Sequence, residues 1–80
     1  MMFFSYILYS KSLDVFYKGF SANLEQRLEN HNQGYSEFTS RANDWVLVYS
    51  KEFSNKTDAL KDEKRLKKLN HNSINLLINR

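Results

Sequence analysis

Eighty residues with 41% hydrophobic content and twelve aromatic side chains are expected to fold as a single domain over residues 1–80, with one modest core and no room for a separate specificity domain. The absence of cysteine excludes a disulfide framework and a thiolate zinc site, and fits a reducing compartment, so the cytoplasm is the expected location. A net charge of +3 favours an anionic partner without naming one, and no apolar run approaches the ~20 residues that cross a bilayer, so no membrane span is expected.

The opening Met1-Met2-Phe3-Phe4-Ser5-Tyr6-Ile7-Leu8-Tyr9-Ser10 is apolar but has no preceding basic region and no small-residue cleavage site, which reads poorly as a signal peptide. Its aromatic and β-branched content predicts a strand, paired through the polar turn Lys11 to Asp14 with a second strand, Val15 to Phe20. A register in which partner numbers sum to 23 places Tyr6 opposite Tyr17, with Cβ atoms about 5 Å apart. Gly19 falls on the same face and leaves an open floor beside the two phenols. On periodicity alone, ordinary cross-strand packing is the leading reading of this pair and a site the second.

Ser21 to His31 reads as a helix with Asn23 as N-cap, Gln26 three residues on and Gly34 as a stop. Leu24 and Leu28 define its apolar stripe, with Arg27 and His31 side by side at the edge of it. Each is open to two readings: Arg27 as a snorkelling boundary residue or a site group, and His31 as a surface histidine favoured in its cationic form by the helix end or a site group. Gln33 to Asp44 is polar, with one helical turn expected around Ser36 to Arg41. Trp45 to Phe53 is a strand of high β-propensity, expected at the centre of the sheet or between helices, with Trp45 as a core anchor.

A second helix is predicted from Lys56 to Leu69, capped by Ser54 or Asn55. Six of the twelve lysines and arginines lie between Lys56 and Lys68, giving a basic outer face that suits either simple solvation or attraction to backbone phosphates. Glu63 falls inside the apolar arc between Leu60 and Leu66, with Asp62 at its edge. A carboxylate there needs an ion-pair partner, a metal or a cleft. Asn70 to Ile78 completes the chain as a short helix, with His71 as a cap. The order β-β-α-β-α-α indicates an α+β domain, a small, mainly antiparallel three-stranded sheet flanked by helices.

Phe4-Ser5-Tyr6, then Tyr17-Lys18-Gly19, then Arg27 and His31 within Leu24 to Asn32, then Glu63, resembles the GIY-YIG nuclease family, and in particular its small single-domain bacterial group. The resemblance covers nearly the whole chain, including Phe38-Thr39, the Trp45 to Phe53 strand and Ala59 to Lys64. Phe4 and Ser5 stand where the first motif has glycine and isoleucine, and Lys18 replaces an isoleucine of the second. By strand alternation Lys18 points away from the tyrosine face.

The resemblance implies a GIY-YIG endonuclease-like fold and hydrolysis of DNA phosphodiester bonds, in repair or recombination, with Tyr6, Tyr17, Arg27, His31 and Glu63 as the functional set. Glu63 would be the metal ligand for Mg²⁺ or Mn²⁺, and DNA would be held through its backbone phosphates. Tyr6 would orient or deprotonate the attacking water. A phenol of pKa near 10 needs Arg27, the metal or Lys18 to lower it for that task. The alternative is a non-catalytic nucleic-acid-binding module that keeps the fold.

Overall fold

The computed structural model describes residues 2–34 and 39–79. Three strands, β1 (Phe3–Ser10), β2 (Val15–Ser21) and β3 (Trp45–Phe53), form one antiparallel sheet in the order β2-β1-β3. Three helices, α1 (Leu24–Asn32), α2 (Lys56–Lys67) and α3 (His71–Ile78), and a short 3-10 turn, Thr39–Arg41, complete the α+β fold in the expected order. Ser36 to Phe38 of the expected helical turn lie outside the described residues.

β1 is the central strand, and its alternate side chains feed two cores. Tyr6 and Leu8 pack with Trp45 on one face, against Leu24 and Leu28 of α1. On the other face Ile7 packs with Leu66 of α2 and Ile74 of α3. Ser5 through Leu8 are all buried, the unbroken run expected of a strand covered on both sides. Each fully buried Ile or Leu adds about 1.5–3 kcal/mol relative to exposure, so Ile7, Leu66 and Ile74 anchor the α2–α3 layer.

β3, expected at the centre, is an edge strand. Its Val46 and Leu47 are exposed, and the register slips between Ile7 and Leu8, leaving Val48 as an extra residue. High β-propensity reports a pleated, half-buried surface and does not separate centre from edge.

The hairpin register is also shifted. Partner numbers sum to 25, so Tyr6 faces Gly19 and Tyr17 faces Leu8. The sum of 23 would have left a two-residue loop and placed Leu13 in the strand. Instead Leu13 packs against the Tyr6–Leu8–Trp45 core, Asp14 turns the chain in the left-handed region (φ 53°), and Asp44 holds the loop by accepting from Ser10 Oγ (2.7 Å) and Ser12 N (2.9 Å). Those bonds hold the Asp44 carboxyl below the usual range, Ser10 contributing most.

All three helices start on asparagine caps. Asn23 accepts from Gln26 N, Asn55 from Asp58 N and Asn70 from Ser73 N, each satisfying one orphan donor of the first turn. Ser21 therefore ends β2 and does not begin α1, and Asn55 is the α2 cap. The α3 cap is Asn70 and not His71, because His71 is already helical and stacks on Phe16 (4.7 Å between ring centroids) while approaching Asp14 at 3.6 Å.

Candidate active site

Tyr6 projects from β1 toward α1, and its ring crosses the backbone of Gly19 on β2. A Cβ at position 19 would overlap Tyr6 Oη and Cζ, so the expected open floor is filled by the phenol itself. The missing side chain is what lets the Tyr6 hydroxyl lie over β2. Tyr17, two residues before Gly19, packs its ring at a tilt against Tyr6 (6.4 Å) and His31 (4.7 Å) and edge-on to Trp45 (6.5 Å). Lys18 pairs with Ile7 on the opposite face.

α1 brings two groups to the Tyr6 hydroxyl, one turn apart. Arg27 Nε donates to Tyr6 Oη at 3.4 Å, and His31 Nε2 lies 3.0 Å from the same oxygen. Tyr6 and, to a smaller degree, Tyr17 favour the charged form of the Arg27 guanidinium. His31 is fully buried (0% exposed), not on the surface, and its Nδ1 lies 2.6 Å from Thr39 Oγ1. A guanidinium can only donate, so Tyr6 Oη accepts from Arg27, while the direction of the two bonds to the imidazole follows from its tautomer.

Burial pushes the Tyr6 phenol up to about 12; the Arg27 hydrogen bond opposes this, and Tyr17 and Glu63 add to it. Burial first, and the Arg27 charge second, bring His31 down to about 4, so the ring is neutral at pH 7. Because its folded pKa lies below the ordinary 6.5, the unfolded chain binds more protons between those values. Stability contributed by the neutral ring is therefore complete above about pH 6.5 and lost as pH falls toward 4, by roughly 2–3 kcal/mol. NMR titration of the His31 ring should give a pKa near 4, and a value above 6 would contradict this site.

Glu63 lies on the flank of α2. Its side chain is 18% exposed and 3.7 Å from Lys67 Nζ, and its charge reaches the Tyr6 phenol. The carboxylate inside the core is instead Asp62, which accepts from Ser5 Oγ and pairs with Arg65 Nε at 2.9 Å. α2 is rotated by about one residue from the expected arc, so that Ala59, Asp62 and Leu66 face inward. A serine donor on the α2-facing side of β1 makes that rotation tolerable.

Tyr6, Tyr17, Arg27 and His31 are thus in contact, with Glu63 in electrostatic range. Thr39 was not among the expected site residues, nor was Asn32, whose amide clamps Trp45 N (2.8 Å) and O (3.0 Å). Both lie in segments that the family resemblance covers, Leu24 to Asn32 and Phe38-Thr39, but their partners are distant in sequence and no local spacing points to a role for either. Arg41 lies apart from the cluster, in a cleft of about 370 Å³ lined by residues 32–34 and 40–43.

Among the described residues no group of three or more His, Asp or Glu side chains forms a metal cage. A lone, partly exposed carboxylate such as Glu63 suits magnesium, which keeps most of its water and takes one or two protein oxygens plus phosphate.

Comparison with known proteins gives the lineage. Residues 2–75 match the GIY-YIG catalytic domain. The chain is 37% identical over 54 residues to the UPF0213 protein OB0043 of Oceanobacillus iheyensis and 36% identical over 52 residues to the UPF0213 protein SH2523 of Staphylococcus haemolyticus. Those matches cover 66% and 64% of this chain, and in each case it spans 63% of the length of the curated relative. The solution NMR structure of the UPF0213 protein BH0048 from Bacillus halodurans shares the fold, with a TM-score of 0.61 at 25% identity over 99% of this chain and 84% of that one. On the match from residue 2 to residue 75 and the shared fold, this protein belongs to the GIY-YIG catalytic domain family, a family of nucleases.

Proposed function

We propose that this protein is a metal-dependent endonuclease that hydrolyses DNA phosphodiester bonds. The observation that carries the reading is the convergence of Arg27 and His31 on the Tyr6 hydroxyl, with the Tyr17 ring beside that of Tyr6 and the Glu63 carboxylate near enough to perturb the phenol. A purely structural cluster has no need of a guanidinium, an imidazole and two phenols in mutual contact beside a carboxylate.

Arg27 binds a phosphoryl oxygen and complements the charge that grows there in the transition state. Tyr6 Oη accepts a hydrogen bond from the attacking water and orients it. As the water loses its proton to Tyr6 Oη, the phenol passes its own to His31 Nε2. Neither group is a strong base in the free protein, with Tyr6 near 12 and His31 near 4. A phosphate seated on Arg27 neutralises the charge that helps depress His31, and so raises the basicity of the imidazole when substrate is present. Glu63 would hold Mg²⁺ or Mn²⁺, which supplies Lewis-acid polarisation of the phosphate and stabilisation of the leaving oxygen. The exposed Lys61, Lys64 and Lys67 on α2 and Lys68 at its C-cap draw in backbone phosphates, with affinity that falls as salt rises.

Plasmid and branched DNA incubated with Mg²⁺ or Mn²⁺ test this. Cleavage is expected with metal and lost on chelation, and Arg27→Ala should lower kcat by about 100- to 1,000-fold. Salt-sensitive binding with no cleavage under any metal would instead establish the non-cutting nucleic-acid-binding module.

A further inference from the structure

We infer that Thr39 is a positioning residue that holds His31 in its Nδ1–H tautomer, leaving Nε2 open to the Tyr6 proton. The observation is a continuous run of hydrogen bonds: Arg27 Nε to Tyr6 Oη, Tyr6 Oη to His31 Nε2, and His31 Nδ1 to Thr39 Oγ1 at 2.6 Å. The three residues beyond Arg27 are buried, with Tyr6 1% exposed and His31 and Thr39 0%. Water therefore cannot replace Thr39 as the acceptor for the Nδ1 hydrogen. Without that acceptor the ring would bury an unpaired N–H, and the alternative tautomer, with hydrogen on Nε2, would confront Tyr6 with a second donor beside Arg27.

Thr39 is itself held in place. Its carbonyl accepts from the Trp45 indole Nε1 at 2.9 Å, and Asn32 fixes the Trp45 backbone from both sides. The start of β3 thereby sets where the 3-10 turn places its hydroxyl, and the turn sets the imidazole. A polar side chain in a short loop is given a defined role only by this tertiary clamp.

The role of Thr39 in turnover rests on the nuclease reading, but the tautomer does not. Two-bond proton–nitrogen NMR correlation of the ¹⁵N-labelled protein reports which ring nitrogen carries hydrogen. Wild type should show a protected Nδ1–H on His31, Thr39→Ser should keep it, and the near-isosteric Thr39→Val should lose it as the ring shifts to Nε2–H. In cleavage assays Thr39→Val should lower kcat about 10- to 100-fold with KM unchanged, as expected for a partner that orients a functional histidine, with Thr39→Ser restoring most of the rate. A wild-type ring bearing hydrogen on Nε2, or a Thr39→Val spectrum identical to wild type, overturns the inference. If Thr39→Val does not fold, the wild-type tautomer and its retention in Thr39→Ser decide the matter. A wild-type protein that holds the Nδ1–H ring yet cuts no DNA supports the positioning role and removes the nuclease reading alone.

Discussion

Glu63→Gln should abolish metal-dependent DNA cleavage, by about 1,000-fold or more, while the protein unfolds at nearly the same temperature. The substitution keeps the shape of the side chain and removes one charge. Structurally that charge does little: its partner Lys67 is more than half exposed, at 3.7 Å, and such pairs contribute about 0.2–1 kcal/mol. In the proposed mechanism it is the metal ligand, and the loss of a metal ligand forfeits several kcal/mol of transition-state stabilisation. Parallel measurement of kcat and of thermal unfolding checks both halves. Full activity in the variant would remove Glu63 from the site. The same exchange at Asp62 should behave in the opposite way, since that carboxylate is engaged with Ser5 and Arg65 inside the protein.

Gly19→Ala should destabilise the fold by about 2–3 kcal/mol, a fall in Tm of roughly 10–20 °C for a domain of this size. In a strand, alanine in place of glycine normally helps, because glycine gives up more conformational freedom on folding. Here the new methyl meets the Tyr6 hydroxyl and Cζ, and Tyr6 is wedged among Tyr17, His31 and Arg27 with 1% of its surface exposed. The reversal of sign is therefore diagnostic of the ring lying across the backbone. Shortening Tyr6 to Leu should make the glycine dispensable, so the two substitutions together should cost less than their sum. A Gly19→Ala protein as stable as wild type would show that the ring does not lie there.

Much of the chain could be read before folding, because local rules govern it. Asn23 with Gln26, and Asn55 with Asp58, are cap pairs closed within three residues, and the aromatic alternation of Phe3 to Phe20 specifies strands without any partner. The candidate site residues were chosen on a different ground: Tyr6, Tyr17, Arg27, His31 and Glu63 occur in an order that resembles the family whose domain matches residues 2–75. What went astray depended on neighbours. The hairpin slipped by two residues because Leu13 could bury itself in the core, and β3 went to the edge because Ile7 and Leu8, not Val46 and Leu47, had helices on both faces. α2 turned Asp62 inward because Ser5, 57 positions earlier, offers it a hydrogen.

The sequence by itself determined the order of elements, the Asn23 cap and the basic outer face of α2, since each is encoded by side-chain type at short spacing, while the five candidate site residues rested on a resemblance that runs along the chain. Only the tertiary structure decided that the Tyr6 ring lies over Gly19, that His31 is buried with its pKa pushed down, and that its Nδ1 faces Thr39 Oγ1. The physical reason is that steric fit, dielectric and hydrogen-bond direction belong to pairs of atoms brought together by folding, and no spacing along the chain specifies them.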